Sequence, residues 1–364
     1  MKMYFVTTGG GLGNQIMSYA LWLYLKKSGC RTILYLRVNH LSKIFNVKGG
    51  LIKKSYFNFF IFIIKQWGNY IRVFNRFFHR RKVVEYSSLL GINVIDYPEW
   101  MDYKFINKIL PELRQNLSFP EDDNDNNKRI INMMRESDSV SIHVRRGDYQ
   151  NSVHWRVILG DICDKKYYED AIEKVYSLLS KPVFFIFSDD IEWVKSNLNL
   201  DHPVFVDWNQ GENSFRDIQL MSYCKVNIIA NSTFSLCASW LNVNTNPIRI
   251  VPSKWLNSYF DNLLIKYIPS DWIIINNKKP TISIITSSIL SECSIKDILK
   301  QRYSDFELIL NDSGEVKILD GRIKTGEING RYIYNYTRSD SLKFRNRNYL
   351  WNWLSKIYAD ELYG

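Results

Sequence analysis

Between Ser141 and Tyr149 the chain reads Ser-Ile-His-Val-Arg-Arg-Gly-Asp-Tyr. A short β-type run, Val140 to Val144, delivers His143, Arg145, Arg146 and Asp148 into a turn at Gly147. Two guanidiniums, an imidazole and a carboxylate gain nothing from a core, where unpaired charge is costly. At the mouth of a strand they suit a pyrophosphate, because guanidinium meets phosphate oxygens two at a time. A second chemical stretch is Gly9-Gly10-Gly11-Leu12-Gly13-Asn14-Gln15. Glycines such as Gly11 and Gly13 let backbone approach a ligand and aim N–H groups at an anion near a helix start. The spacing departs from the dinucleotide fingerprint, which needs GxGxxG and a downstream acid. A tight strand-to-helix turn without a ligand is the plainer alternative.

The elements that must position these residues follow from periodicity. Tyr4 to Thr7 is strand-like, and the glycine loop leads into a helix from about Gln15 to Ser28. Its Ile16, Tyr19, Ala20, Leu23 and Tyr24 recur at helical spacing, and Gly29 ends it. Arg31 to Leu36 is the next strand, so the unit is βαβ and its sheet parallel. After Asp148 the alternation resumes. Helices are expected at Asp164–Leu179, Ile191–Leu198 and Phe215–Cys224, and another follows Asn231-Ser232-Thr233-Phe234-Ser235 through Trp240. Strands are expected at Val183–Phe187, Val204–Val206, Val226–Ala230 and Ile248–Val251. Two βα-rich halves predict two facing α/β domains with a cleft between them. Ligands in such sheets sit beyond the carboxyl ends of strands, where Asp148, Asp189 and Ser232 all fall.

Composition narrows the class. The 364 residues, 46% hydrophobic and 23% charged, suffice for two globular domains and a partial third. A net charge of +11 favours polyanions, anionic membranes or phosphorylated ligands. No recognition module accompanies that charge, so a nucleic-acid partner is not expected. Five scattered cysteines without CxxC spacing argue against a disulfide framework or zinc site and fit a reducing cytoplasm. No signal-peptide pattern or membrane-length apolar run is seen.

Residues 53–82 carry Lys53, Lys54, Lys65, Arg72, Arg76, Arg80, Arg81 and Lys82 without an acid, interleaved with aromatics. This suits peripheral contact with an anionic membrane, or a basic surface helix packed on the first domain. Pro120 to Lys128 is acidic and turn-rich, the signature of a loop or boundary.

The glycine loop, the His143–Tyr149 block, Phe187-Ser188-Asp189-Asp190 with Trp193, and the run Asp217 to Trp240 resemble glycosyltransferase family 11, the bacterial α-1,2-fucosyltransferases. The likeness covers roughly residues 4–275. It implies a GT-B-like pair of facing Rossmann-like domains, here an N-terminal acceptor-side domain (1–136) and a C-terminal GDP-sugar domain (137–276). It also implies inverting transfer of fucose from GDP-fucose to a galactoside hydroxyl, in an α-1,2 linkage, without a metal or other cofactor. A galactose-containing oligosaccharide or lipid-linked glycan would be the acceptor, in synthesis of a surface polysaccharide or O-antigen. By that likeness Arg145 holds the pyrophosphate, Arg146 supports it or the motif's shape, and His143 meets nucleoside or phosphate. Asn14 reaches the donor from the opposite domain, Asp189 lies near guanine or ribose, and Ser232, Thr233 and Phe234 line the phosphate side. The acceptor hydroxyl needs a base. Asp148 is the first candidate and His154 the second, against a structural salt bridge from Asp148 to Arg145 or Arg146. The rival readings are transfer of another GDP-sugar and an inactive sugar- or nucleotide-binding subunit of a polysaccharide assembly complex.

From Lys279 the pattern restarts: strand Pro280–Thr286, a helix through Tyr303, then a strand and turn from Phe306 to Gly314. Residues 279–364 resemble the opening GT-A-like βαβ unit of family 2 glycosyltransferases, with Asp312 where a donor base would be met and Phe344–Asn348 like the helix before a DxD. The chain ends before such a motif. The expectation is a truncated module without activity of its own, or an extension packed on the core.

Overall fold

In the computed structural model the apolar runs form three sheets that are parallel except at one edge. The structure describes residues 3–36, 40–47, 62, 87–89, 92–96, 103–257, 268–276, 282–286, 292–299, 306–310, 323–324, 332–336, 340–344, 346 and 348–363. The first sheet contains β1 (Met3–Thr7), β2 (Arg31–Tyr35), β3 (Ser87–Leu89) and β4 (Ile92–Asp96), in the order β2-β1-β4-β3. Only the β3–β4 pair is antiparallel. The glycine loop after β1 opens α1 (Leu12–Lys27), three residues earlier than periodicity suggested, and α2 (His40–Ile44) and α3 (Tyr103–Asn116) follow.

The second sheet is larger. Its strands are β5 (Asp138–Val144), β6 (Pro182–Ser188), β7 (Val204–Val206), β8 (Val226–Ile228), β9 (Ile248–Pro252) and β10 (Ile273–Ile275), in the order β10-β9-β8-β5-β6-β7. Every pairing in it is parallel. The helices are α4 (Asp125–Glu136), α5 (Gly147–Asn151), α6 (Val153–Leu159), α7 (Lys165–Leu178), α8 (Ile191–Asn197), α9 (Phe215–Tyr223) and α10 (Thr233–Trp240). The strand order runs outward in opposite directions from the β5–β8 pair. That pair is therefore the topological switch point, where a doubly wound sheet leaves a crevice at its carboxyl edge.

Helix α4 packs on β5 and α9 of the second sheet, whereas α3 packs on α1. The acidic run Pro120–Lys128 is only partly loop: Asn124 caps α4 by accepting from the Asn126 and Asn127 amides, at 2.9 and 3.3 Å. The second sheet has an apolar cluster of its own, around Val140, Tyr168 and Ile250, and the two units also share one. That shared cluster runs from Val6, Ile16 and Leu34 through Ile130 and Phe187 to Cys237 and Trp240.

The tail forms a third, wholly parallel sheet of β11 (Ile282–Thr286), β12 (Phe306–Leu310), β13 (Ile323–Lys324) and β14 (Tyr332–Tyr336), in the order β13-β12-β11-β14. Its helices are α11 (Glu292–Leu299), α12 (Ser341–Phe344) and α13 (Tyr349–Tyr363). Asp312, Arg345 and Arg347 lie outside the described residues. So does the basic stretch 53–82, apart from Phe62, whose side chain is exposed. No described helix is long and apolar enough to cross a membrane. Cys30, Cys163, Cys224 and Cys237 are free thiols.

Candidate functional site

At the carboxyl end of β5 the chain turns straight into α5, and this turn is held by carboxylates from the next strand. Arg145 extends between two of them: one terminal nitrogen is 2.8 Å from Asp148 Oδ1, the other 3.0 Å from Asp189 Oδ2. The Arg146 amide donates to Asp189 Oδ1 at 2.8 Å. Arg146 turns its side chain the other way, with Nε donating to Asp190 Oδ2 at 3.1 Å and the guanidinium 4.3 Å over the Trp193 ring. Asp190 also caps α8 by accepting from the Trp193 amide. A Cβ on Gly147 would sit 2.7 Å from Asp189 Oδ2, so a side chain there would push the carboxylate off the turn. Each oxygen of Asp189 thus takes part in holding the arginine turn.

Arg145 remains the exposed guanidinium of the pair, its side chain 36% accessible against 21% for Arg146. It is preorganised by two carboxylates and stacked loosely on Tyr149, 5.6 Å from the ring centre. Arg146 holds the motif's shape. Asp148 frames Arg145, the role that the salt-bridge alternative described.

Across the switch point, β8 leads to Asn231 and Ser232. The Ser232 hydroxyl caps α10, accepting from the Phe234 amide at 3.3 Å, and Ser232 is buried. Its contribution to an anion site is therefore the fixed turn and the amides of the helix start, rather than a free hydroxyl. His143 is buried beneath this turn. Its Nδ1 lies 2.9 Å from Ser235 Oγ, and its ring is 5.5 Å from that of Phe234. Burial drives His143 down to about 4; Asp189 opposes that and Arg145 adds to it. The imidazole is neutral at physiological pH.

A test follows. The folded value lies below the ordinary one, so the stability that His143 confers is present above pH 6.5 and is lost as pH falls toward 4. NMR of the His143 ring nitrogens is expected to show no titration between pH 5.5 and 8. A midpoint near 6.5 would refute the buried, neutral assignment.

The glycine loop comes to the same crevice. Gly10 has a left-handed φ of 65°. It is steadied by the fully buried Gln15, whose Nε2 donates to the Gly10 carbonyl at 2.9 Å while Oε1 accepts from the Leu41 amide. Gly11 is exposed and precedes α1, with nothing near its missing Cβ. Gly13 differs: a Cβ there would lie 2.7 Å from the Thr233 carbonyl carbon and oxygen and 2.8 Å from the Phe234 nitrogen. What Gly13 permits is contact between the starts of α1 and α10, backbone to backbone, rather than approach of a ligand. The Cys237 thiol donates to the Gly13 carbonyl across the same seam. Half-buried Asn14 follows in the first turn of α1, beside this junction. Thr233 and Phe234 are half-buried at the start of α10. His154, on α6, packs against Trp155 and the tail's Trp351 instead of joining the arginine turn.

Sequence reasoning missed Ser235, Gln15 and Tyr149 as positioning residues. Tyr149 donates to the Asn231 carbonyl at 3.3 Å, and burial pushes its hydroxyl up, so it stays protonated. These partners are up to 92 residues apart in the chain, and nothing local announces them. A partly buried acid, Asp217, accepts from Asn209 at 2.9 Å, and desolvation raises it to about 7. Among the described residues no three His, Cys, Asp or Glu side chains gather as a metal cluster.

Comparison with known proteins adds three relatives and a family. The family described as Glycosyl transferase family 11 matches residues 3–276. The chain is similar to an alpha-1,2-colitosyltransferase of Escherichia coli, with 32% identity over 71% of this chain and 96% of that protein. It is also similar to the Escherichia coli O-antigen biosynthesis glycosyltransferase WbnK, with 36% identity over 35% of this chain and 42% of that one. A Bos taurus galactoside 2-alpha-L-fucosyltransferase, SEC1, is 28% identical over 65% of this chain and 63% of its own length. The chain thus spans nearly all of the first relative and less than two thirds of the other two. The tail beyond residue 276 lies outside the family match.

Proposed function

We propose, from the premise that this chain belongs to glycosyl transferase family 11, that it transfers fucose or a closely related deoxy-sugar from a GDP donor. The acceptor in this reading is a galactoside hydroxyl, the linkage α-1,2 and the stereochemistry inverting. One observation carries the reading: Arg145, framed by Asp148 and Asp189, stands at the β5–β8 switch point beside Tyr149, which bonds to Asn231 just before α10. As the sugar–phosphate bond breaks, negative charge grows on the leaving diphosphate. Arg145 and the amides at the start of α10 are donors fixed before the substrate arrives, which is the condition for strong charge stabilisation. Charge stabilisation is assigned to these groups, so transfer is expected to proceed without a metal. The attacking hydroxyl gives its proton to a base. Asp148, whose pair to Arg145 uses Oδ1, would act from its other oxygen. Helices α1 and α10, meeting at Gly13 and Thr233, support a GT-B-like arrangement with the donor beside that junction. The names of two relatives favour galactoside and O-antigen acceptors. The reading places the enzyme in the cytoplasm, with residues 53–82 as a peripheral membrane contact.

A second donor has a specific observation behind it, the similarity to a colitosyltransferase over 96% of that protein. Colitose is fucose without one ring hydroxyl. A site that hydrogen-bonds that hydroxyl rejects the deoxy donor by a factor of about 10⁴ or more, whereas an apolar wall discriminates about 10²-fold at most. The purified chain is therefore assayed with GDP-fucose, GDP-colitose, GDP-mannose and UDP-sugars on lactose and related galactosides, with and without EDTA. Turnover of GDP-fucose or GDP-colitose in EDTA is expected. Turnover of UDP-sugars alone, or abolition by EDTA, overturns the proposal.

A further inference from the structure

The tail does not merely extend the chain. Helix α13 packs along α6, and α6 follows the site helix α5 with only Ser152 between them. Val157 of α6 is fully buried in the tail's own apolar cluster with Ile282, Ile284, Leu350 and Leu354. The polar part of this junction centres on Arg156, 8% exposed. One terminal nitrogen is 2.9 Å from Glu361 of α13, and the guanidinium lies 4.2 Å over the Tyr358 ring. Tyr358, fully buried, donates from its hydroxyl to Asp161 Oδ2 at 3.3 Å, and that same oxygen is 3.6 Å from Arg156 Nε. Nε is buried without a hydrogen bond. Arg156 is thus held between Glu361 and Asp161, with Glu361 the closer partner, and a buried guanidinium that loses one of its carboxylates is disfavoured.

The carboxyl end of α6 is tied to the turn before α10. Asn231 donates from Nδ2 to the Leu159 carbonyl at 3.0 Å, and its own carbonyl accepts from Tyr149. Asn257 holds the same end of α6 through the Ile158 and Gly160 carbonyls, both at 2.8 Å. Asp161, just beyond, has a left-handed φ of 57°. That conformation is tolerated by aspartate when its surroundings determine it, and here Tyr358 and Arg156 do so. A continuous set of contacts therefore runs from α13 through Arg156 and α6 to Asn231, Tyr149 and the turn that carries Asp148.

We propose that α13 braces the donor site, with Arg156 as a positioning residue and Glu361 as the tail's half of the latch. The tail then supports transfer at the family 11 site, whatever has become of its own sheet. This inference rests on the donor-site reading, so its test uses two readouts. In the full chain, Glu361→Ala and the shape-conserving Glu361→Gln are compared with wild type by amide hydrogen exchange and by GDP affinity. Glu361→Ala is expected to speed exchange at least tenfold across residues 147–159 and to raise the GDP Kd and donor KM about tenfold, with kcat changed less. Glu361→Gln, which keeps an acceptor toward Arg156, is expected to restore most of both. Faster exchange confined to residues 349–363, or unchanged GDP affinity in a chain whose 147–159 segment has loosened, overturns the brace. If wild type does not bind GDP, the donor reading fails by itself, and exchange across 147–159 still decides the mechanical claim.

Discussion

Arg145→Ala is expected to lower kcat/KM for the sugar donor by about 10²–10³, the usual consequence of deleting one preorganised charge-stabilising donor. The chain should stay folded. Arg145 is more than a third exposed, and its ion pairs with Asp148 and Asp189 are surface-type pairs, worth on the order of 1 kcal/mol or less. Arg145→Lys should recover little, because an ammonium cannot reach both carboxylates and two phosphate oxygens in one plane. Arg146→Ala gives the contrast. It removes the contacts to Asp190 and Trp193, so it should act through stability and the shape of the turn. Steady-state kinetics with thermal denaturation of all three variants checks this. Arg145→Ala activity within a few-fold of wild type would remove Arg145 from the pyrophosphate.

Gly13→Ala is expected to be among the most destabilising small substitutions in the chain. Inside an ordinary helix it would gain about 1 kcal/mol through helix propensity. Here the added methyl meets the Thr233 carbonyl and the Phe234 nitrogen at 2.7–2.8 Å, and both are backbone. No rotamer change relieves the clash. Helices α1 and α10 must separate, opening the cluster that joins the two sheets, and overpacking of that kind costs about 1–3 kcal/mol or more. The start of α10 moves with it, so transfer should fall alongside stability. Gly11→Ala is the control, because nothing lies within 4 Å of its Cβ position and its φ of −66° suits alanine. It should stay within about 1 kcal/mol of wild type, the usual loss for alanine at a helix N-cap. A Gly13→Ala chain as stable as Gly11→Ala would show that the seam yields freely.

The contrast between these two glycines marks where sequence reasoning stops. Both belong to one glycine-rich run, and by sequence both read as flexible backbone for a ligand. Only the packed structure separates a glycine at an open helix start from one pressed against another helix 220 residues later in the chain. Asp189 and Ser232 make the same point. Their placement at strand ends was legible from the β-run, polar-turn, helix order. Their partners were not, since Asp189 spends its oxygens on the Arg146 amide and Arg145, and Ser232 spends its hydroxyl on a helix cap.

What the sequence alone determined is what local chemistry encodes. Alternating βα periodicity dictates parallel sheets, apolar runs choose the strands, and the guanidiniums must leave the core at a strand end because burying them unpaired is prohibitive. What only the tertiary structure decided is which of two adjacent arginines remains available, that His143 is neutral, that α4 belongs to the second sheet, and that the tail grips α6. Each depends on groups brought together from distant parts of the chain. Burial, pairing and backbone contact are properties of that assembled neighbourhood, and no single segment carries them.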